Sequence, residues 1–104
     1  MTTLQKRKPI RSKAIRAAAR GQSCAVCGCN DGTTVFVHLD ESWAGKGMGQ
    51  KADDVAGFFA CYRCHLGYAG DPGGNYAISY YDIARAMYRT LRILFDMGII
   101  RIMN

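Results

Sequence analysis

Two cysteine pairs, Cys24-Ala25-Val26-Cys27 and Cys61-Tyr62-Arg63-Cys64, constrain this chain more than any other feature. A Cys-x-x-Cys turn lets two thiolates converge on one ion, and two such turns complete the four-sulfur tetrahedron of a structural zinc site. The fold must then bring the chain near residue 24 against the chain near residue 61. Two rival readings are weaker. Inert thiols or two local redox pairs account for one pair better than for two in a small basic chain. Cys61-Tyr62-Arg63-Cys64-His65 also matches the c-type haem attachment pattern, but that leaves Cys24 and Cys27 without a purpose. The fifth cysteine, Cys29, is left over, as a small core residue or an alternative ligand to Cys27.

A chain of 104 residues makes one small domain, residues 1–104, whose apolar core is thin enough to need a staple. With 49% hydrophobic residues it is not compositionally disordered. The stretch Ala14 to Ala19 is too short, and too interrupted by Arg16, to serve as the apolar region of an export signal. No run approaches a membrane span. A reducing, cytoplasmic setting is expected, in which paired cysteines bind metal more often than they form disulfides.

The formal charge is +6, and its placement says more than its size. Lys6, Arg7, Lys8, Arg11, Lys13, Arg16 and Arg20 are half of the 14 basic residues, and no acid precedes Asp31. Such a segment suits a phosphate backbone, where affinity comes from releasing condensed counterions. A solvated basic tail explains the charge equally well.

Residues 1–11 read as a flexible basic start, residues 12–78 as a helix followed by the zinc-bound core, and residues 79–104 as a helix and tail. Ser12 to Arg20 is rich in Ala and Arg, with Gly21 placed as a C-terminal cap. Thr33 to His38 is β-branched and aromatic, which predicts a strand after the Asn30-Asp31-Gly32 turn. Glu41 to Asp54 is a loop in which Gly45, Gly47 and Gly49 alternate with Lys46 and run on to Lys51. Gly57 to Ala60 is a second short strand leading to Cys61. A helix should begin in the second cysteine pair, carry His65 on its first turn, and stop early at Gly67, Gly70 and Pro72-Gly73-Gly74. Ser79 and Asp82 have capping-box spacing before the longest helix. Ile83, Met87, Thr90, Leu91, Leu94 and Gly98 form its apolar face, and Arg85, Arg89 and Arg92 its solvated one. Ile99 to Met103 returns as a strand or packs as an apolar tail.

Only two histidines exist, and the cysteines set both in place. His38 ends the strand between the pairs, and His65 follows Cys64 at a helix start. A lone histidine at a strand end is usually just packed. Fixed relative to a second one, His38 is a candidate general base for phosphodiester cleavage, and His65 a candidate ligand for a divalent ion that stabilises the leaving oxyanion. The Gly-Lys-Gly-Met-Gly loop is no Walker loop, since its spacer and Lys-Ser/Thr end are missing, but Lys46 and Lys51 tilt it toward nucleic-acid contact. Trp43, Tyr76, Tyr80 and Tyr81 are read as packing residues rather than base-stacking platforms.

Taken together, these residues resemble the HNH (His-Me finger) nucleases, and within them the small prophage YbcO-type nucleases. The matching stretches are Ala17-Ala18-Ala19-Arg20-Gly21, Cys27 eleven residues ahead of His38, the Gly-Lys-Gly loop with Lys51 and Asp54, Ala60-Cys61-x-x-Cys64-His65, Met87-x-Arg89-Thr90 and Gly98-Ile99-Ile100. The resemblance runs from about residue 14 nearly to the end. It implies an α+β fold, with a zinc-stapled ββα-metal core of treble-clef type between an N-terminal helix and a longer C-terminal one. It implies His38 as general base, His65 on a catalytic Mg2+ or Mn2+, Asp54 near the variable middle position of the motif, and a 5′-phosphate product. Two positions depart from the pattern: Val37 stands where many relatives place a metal ligand, and Ala69 where an acid is common. Asp40 or Asp54 could substitute as the second ligand.

The expected activity is therefore a metal-dependent phage-type endonuclease acting on DNA in a bacterial cytoplasm, with structural zinc on Cys24, Cys27, Cys61 and Cys64. Lys13, Arg16, Arg20, Lys46 and Lys51 are the candidate nucleic-acid contacts. The alternative is a zinc-dependent nucleic-acid-binding module without chemistry, and a protein-interaction adaptor has least support. No membrane partner is expected, and oligomeric state has no signal.

Overall fold

A computed structural model of the chain describes residues 8–47, 49–70 and 77–103. In order, α1 (Lys13–Ala17), β1 (Val35–His38), a 3-10 turn (Ser42–Ala44), β2 (Gly57–Ala60), α2 (Tyr62–Ala69) and α3 (Tyr80–Asp96) make a small α+β architecture with a two-stranded antiparallel sheet. The register pairs Val35 with Ala60, Phe36 with Phe59, Val37 with Phe58 and His38 with Gly57.

β2 is buried along its whole length, with Phe58, Phe59 and Ala60 all at 0% exposure. Successive strand residues face opposite sides, so Phe58 and Phe59 need cover from two directions. The Tyr68 ring of α2 meets Phe58 edge-on, and α3 packs along β2 through Ile83, Ala86, Thr90 and Leu94. Away from β1, the Phe59 backbone bonds on its other side: its N–H donates to Thr90 Oγ1 at 2.9 Å, and its carbonyl accepts from Ala25 N–H at 2.9 Å. A buried backbone pair left open here would cost about 1–3 kcal/mol per group. This explains the single polar residue on the buried face of α3.

Local sequence sets most boundaries. Ser12 caps α1 by accepting from Ile15 N–H, and Ser79 caps α3 by accepting from Asp82 N–H, as its spacing predicts. α3 ends in a Schellman turn: Gly98 lies at φ 75°, its N–H donates to Phe95 O, and Ile99 N–H donates to Leu94 O. Ile99 and Ile100 thus fold back half-buried, and residues 101–103 form no strand.

Several boundaries differ from the sequence reading. α1 stops at Ala17 and continues only as turns to Gly21. β1 begins at Val35, because Thr33 is used elsewhere: its hydroxyl accepts from Tyr62 N–H at the start of α2 and bonds Asp31. α2 passes through Gly67 and ends at Gly70, which adopts φ 83°. Pro72, Gly73, Gly74 and Tyr76 lie outside the described residues. The buried face of α3 includes Ala86, whereas Leu91 is 44% exposed. Arg89 stays exposed on the expected solvated stripe and also donates to Ala25 O at 3.0 Å. Trp43, Tyr80 and Tyr81 are 66–80% exposed, so they do not pack as expected; the core is already closed by Phe58, Phe59 and α3.

Candidate metal centre and histidine site

The four cysteines predicted to act together do meet. The sulfurs of Cys24, Cys27, Cys61 and Cys64 all lie within 4.8 Å of one another. Cys27 Sγ and Cys61 Sγ are 3.8 Å apart although 34 residues separate them. A tetrahedron with Zn–S near 2.3 Å has edges of about 3.8 Å, so the donor set fits zinc. The first pair curls around its own sulfur: Val26 N–H and Cys27 N–H donate to Cys24 Sγ, and Gly28 completes the turn at φ 84°. The second pair sits on a helix start, with Cys61 as the N-cap residue of α2 and Cys64 within it.

Burial opposes ionisation of Cys27. The Cys29 backbone and the thiols of Cys24, Cys29 and Cys61 outweigh it and bring Cys27 down to about 7. Cys29, exposed beside the Cys61 and Cys27 thiols, is pushed up to about 12. Of the two candidates for the fourth position, Cys27 is the one whose sulfur joins the other three.

The second cluster surrounds Asp54. Its side chain is 1% exposed, and four groups converge on it. Oδ1 lies 2.7 Å from His38 Nε2 and 3.5 Å from Arg11 Nη1. Oδ2 accepts from Ser12 N–H at 2.7 Å and from Arg16 Nε at 3.0 Å. Desolvation pushes this carboxyl up, but the His38 and Ser12 hydrogen bonds and the Arg16 charge prevail and hold it below the ordinary aspartate value. An ionised carboxylate can only accept, so the proton of neutral His38 sits on Nε2 and the lone pair on Nδ1.

Asp54 is held in turn by the amino-terminal segment. Asp54 N–H donates to Ile10 O, and Ile10 N–H donates to Asp53 Oδ1. Arg11 Nη atoms donate to Ala52 O at 2.7 Å and Lys51 O at 2.9 Å. Ile10 and Arg11, expected in a flexible start, thus lie along residues 51–54. Arg16, expected on nucleic acid, spends its Nε on Asp54, though its side chain stays 47% exposed. Sequence reading missed Ser12 and Arg11 as parts of this site. The only signal was their position around a helix cap.

His65 is placed differently. His38 shares its sheet face with Phe36 and Phe59, while α2 lies on the Phe58 face. His65 is exposed on α2, and no contact joins the two imidazoles among the described residues. Asp40 lies beyond the end of β1, is 71% exposed, and pairs with Lys46 Nζ at 2.9 Å. Its N–H donates to Tyr68 Oη. Lys13, Arg20 and Lys51 are exposed. Among the described residues, the four cysteines are the only group of three or more potential metal ligands.

The sequence profile of the family described as "Putative nuclease YbcO" matches residues 13–99. The solved structure of a putative bacteriophage protein from Escherichia coli str. K-12 substr. MG1655 is similar, at 27% identity and a TM-score of 0.54, covering 82% of this chain and 100% of that one. No curated protein matches the chain.

Proposed function

The chain belongs to the YbcO putative nuclease family, and from that premise we propose that it is an HNH-type endonuclease that hydrolyses DNA phosphodiester bonds with His38 as general base. The observation that carries this reading is the 2.7 Å contact between His38 Nε2 and the buried Asp54 carboxylate. Asp54 orients the ring and fixes its tautomer, so that Nδ1 takes the proton of the attacking water. This is the division of labour between orienter and base in other hydrolases. Arg16 and Ser12 N–H keep Asp54 charged, which in turn stabilises the imidazolium formed on proton transfer. The exposed Lys13, Arg20, Lys46 and Lys51 would hold the phosphate backbone. Cys24, Cys27, Cys61 and Cys64 would bind the structural zinc that clamps this ββα core.

A catalytic Mg2+ or Mn2+, when bound, would stabilise charge on the phosphate and the leaving oxygen. This chain offers it one imidazole, His65. Val37, buried at 3% exposure, brings no ligand to the α2 side of the sheet, and Asp40 lies beyond the end of β1, exposed beside Lys46. The same observation favours a second reading, a zinc-dependent nucleic-acid-binding module without hydrolysis.

Plasmid nicking separates the two. His38→Ala is expected to abolish nicking in Mg2+ or Mn2+ while zinc content and fold stay unchanged. Undiminished nicking by His38→Ala would remove the base assignment. Salt-sensitive DNA binding by wild type, without cleavage in either metal, would select the second reading.

A further inference from the structure

The ring of Phe36 meets His38 edge-on with centroids 5.0 Å apart, and its other surroundings form an open recess of about 290 Å³ between α3 and the strand pair. Phe36, Asp54, Val55, Met87, Tyr88 and Leu91 line it. We infer that this recess receives a single unstacked nucleobase next to the His38–Asp54 pair, so that the preferred substrate is a nucleic acid with an unpaired base. The inference rests on the nuclease reading only for the position of the scissile phosphate.

Size comes first. The recess is at the small end of the roughly 300–1,000 Å³ range of ligand pockets, which suits one flat heterocycle better than a helix or an extended peptide. Its walls come next. Two aromatic side chains, Phe36 and Tyr88, offer flat surfaces, and aliphatic Val55, Met87 and Leu91 fill the rest. Val55, Tyr88 and Leu91 are 44–60% exposed, so the rim is apolar and open. Bases stack on such surfaces whatever their identity.

Charge and continuity then choose the occupant. Arg92 stands one turn after Tyr88, in an exposed pair with Asp96 at 3.8 Å, and one heptad earlier Arg85 lies over the Tyr81 ring at 5.5 Å from its centroid. Two Tyr–Arg pairs thus run along the exposed side of α3, where phosphates flanking a bound base can be met. Asp54 belongs both to the recess wall and to the His38 contact, so a base seated there places its own phosphates beside the imidazole. Gly57 makes the recess possible. A Cβ on it would stand 2.3 Å from Val37 O and 2.7 Å from two Phe36 ring atoms, so only glycine lets Phe36 lie across the strand.

The test uses the zinc-loaded full chain without Mg2+ or Mn2+, so that strands are bound and not cut. The probes are short single-stranded DNA and RNA oligonucleotides, each with one internal 2-aminopurine, and the matching blunt duplexes, followed by anisotropy and 2-aminopurine emission. Quenched emission with the single strand, binding about tenfold or more tighter than to the duplex, and weakening by about 5- to 150-fold in Tyr88→Ala are expected. Leu91→Trp, which fills the recess, should abolish the quenching while thermal melting and zinc content stay normal. The DNA and RNA arms show which backbone the site takes. Unchanged emission on binding, equal binding by Leu91→Trp, or a wild-type dimer that Leu91→Trp converts to monomer would each overturn the inference. Quenching without cleavage once Mg2+ or Mn2+ is added supports the base pocket and removes the nuclease reading. Cleavage without quenching does the reverse.

Discussion

Replacing Asp54 by Asn should separate stability from chemistry. The two side chains have the same shape, so nothing is overpacked. One carboxylate oxygen becomes an NH2 group facing a donor. At Oδ2 that group would oppose both Ser12 N–H and Arg16 Nε, each within 3.0 Å. At Oδ1 it would oppose His38 Nε2, which can respond by moving its own proton to Nδ1. The second arrangement keeps every buried group partnered. What is lost is the charge assistance in the bonds to Arg16 and His38, about 1 kcal/mol each before screening, together with the weak pair to the more exposed Arg11. Arg16 is 47% exposed, so its share is discounted, and the total is about 1–2 kcal/mol. For a domain of this size that lowers Tm by about 4–16 °C. Asp54→Ala leaves Ser12 N–H and His38 Nε2 without acceptors and should cost about 3–5 kcal/mol. Activity should fall far more steeply than stability in Asp54→Asn, because Nδ1 now carries a proton. The same tautomer fault in a serine protease triad costs about 10⁴-fold. Thermal melts, Mn2+-dependent plasmid nicking and imidazole ¹⁵N spectra test the three parts. Nicking within about tenfold of wild type, or an Asn variant as unstable as the Ala variant, would overturn the role given to the Asp54 carboxylate. The pH dependence follows from the carboxyl being held below its ordinary value. Its stabilisation is complete above the unfolded aspartate pKa of about 3.9 and disappears as pH falls through the lower folded value. Wild type and Asp54→Asn should therefore converge in stability below about pH 4.

Four further outcomes are expected. A chelator strong enough to strip zinc should unfold the chain, since structural zinc contributes about 10–16 kcal/mol against a typical total of about 5–15 kcal/mol. Cys29→Ser should still bind one zinc per chain, whereas Cys64→Ser should not, as colorimetric zinc release would show. Gly57→Ala should cost about 3 kcal/mol in urea titration and shift the His38 NMR resonances, because the new Cβ meets backbone as well as the Phe36 ring. Thr90→Val, equal in volume, should cost about 1–3 kcal/mol by orphaning Phe59 N–H; a neutral result would mean that water replaces the hydroxyl.

The parts legible in the sequence were those governed by neighbours in the chain. Gly57-Phe58-Phe59-Ala60 declared itself as a strand by composition, and its bounds agree with the fold. The Ser79 cap and the start of α3 followed from a three-residue spacing. The meeting of the cysteine pairs was legible because ligand count, rather than distance along the chain, identifies a metal site. What stayed hidden were contacts with no period. Asp54 reaches His38 across 16 residues and Arg16 across 38, and a buried aspartate in a Gly-Lys loop looks no different from an exposed one. Arg16 and Arg89 sat in basic stripes that averaged them with solvated neighbours, although one serves a carboxylate and the other a backbone carbonyl. Trp43 was read by residue type, yet the 3-10 turn that carries it leaves it in solvent.

A metal held by Cys24, Cys27, Cys61 and Cys64 would tie off the stretch of chain that includes β1, the glycine-lysine excursion and β2. Once its neck is tied, that stretch behaves as a ring. A tryptic cut after Lys46 or Lys51 should leave two fragments that co-migrate until the ion is removed. Lengthening the ring is also cheap, at about 0.6 kcal/mol for each doubling of its contour. Its tip can therefore accept insertions without disturbing the strand that presents His38.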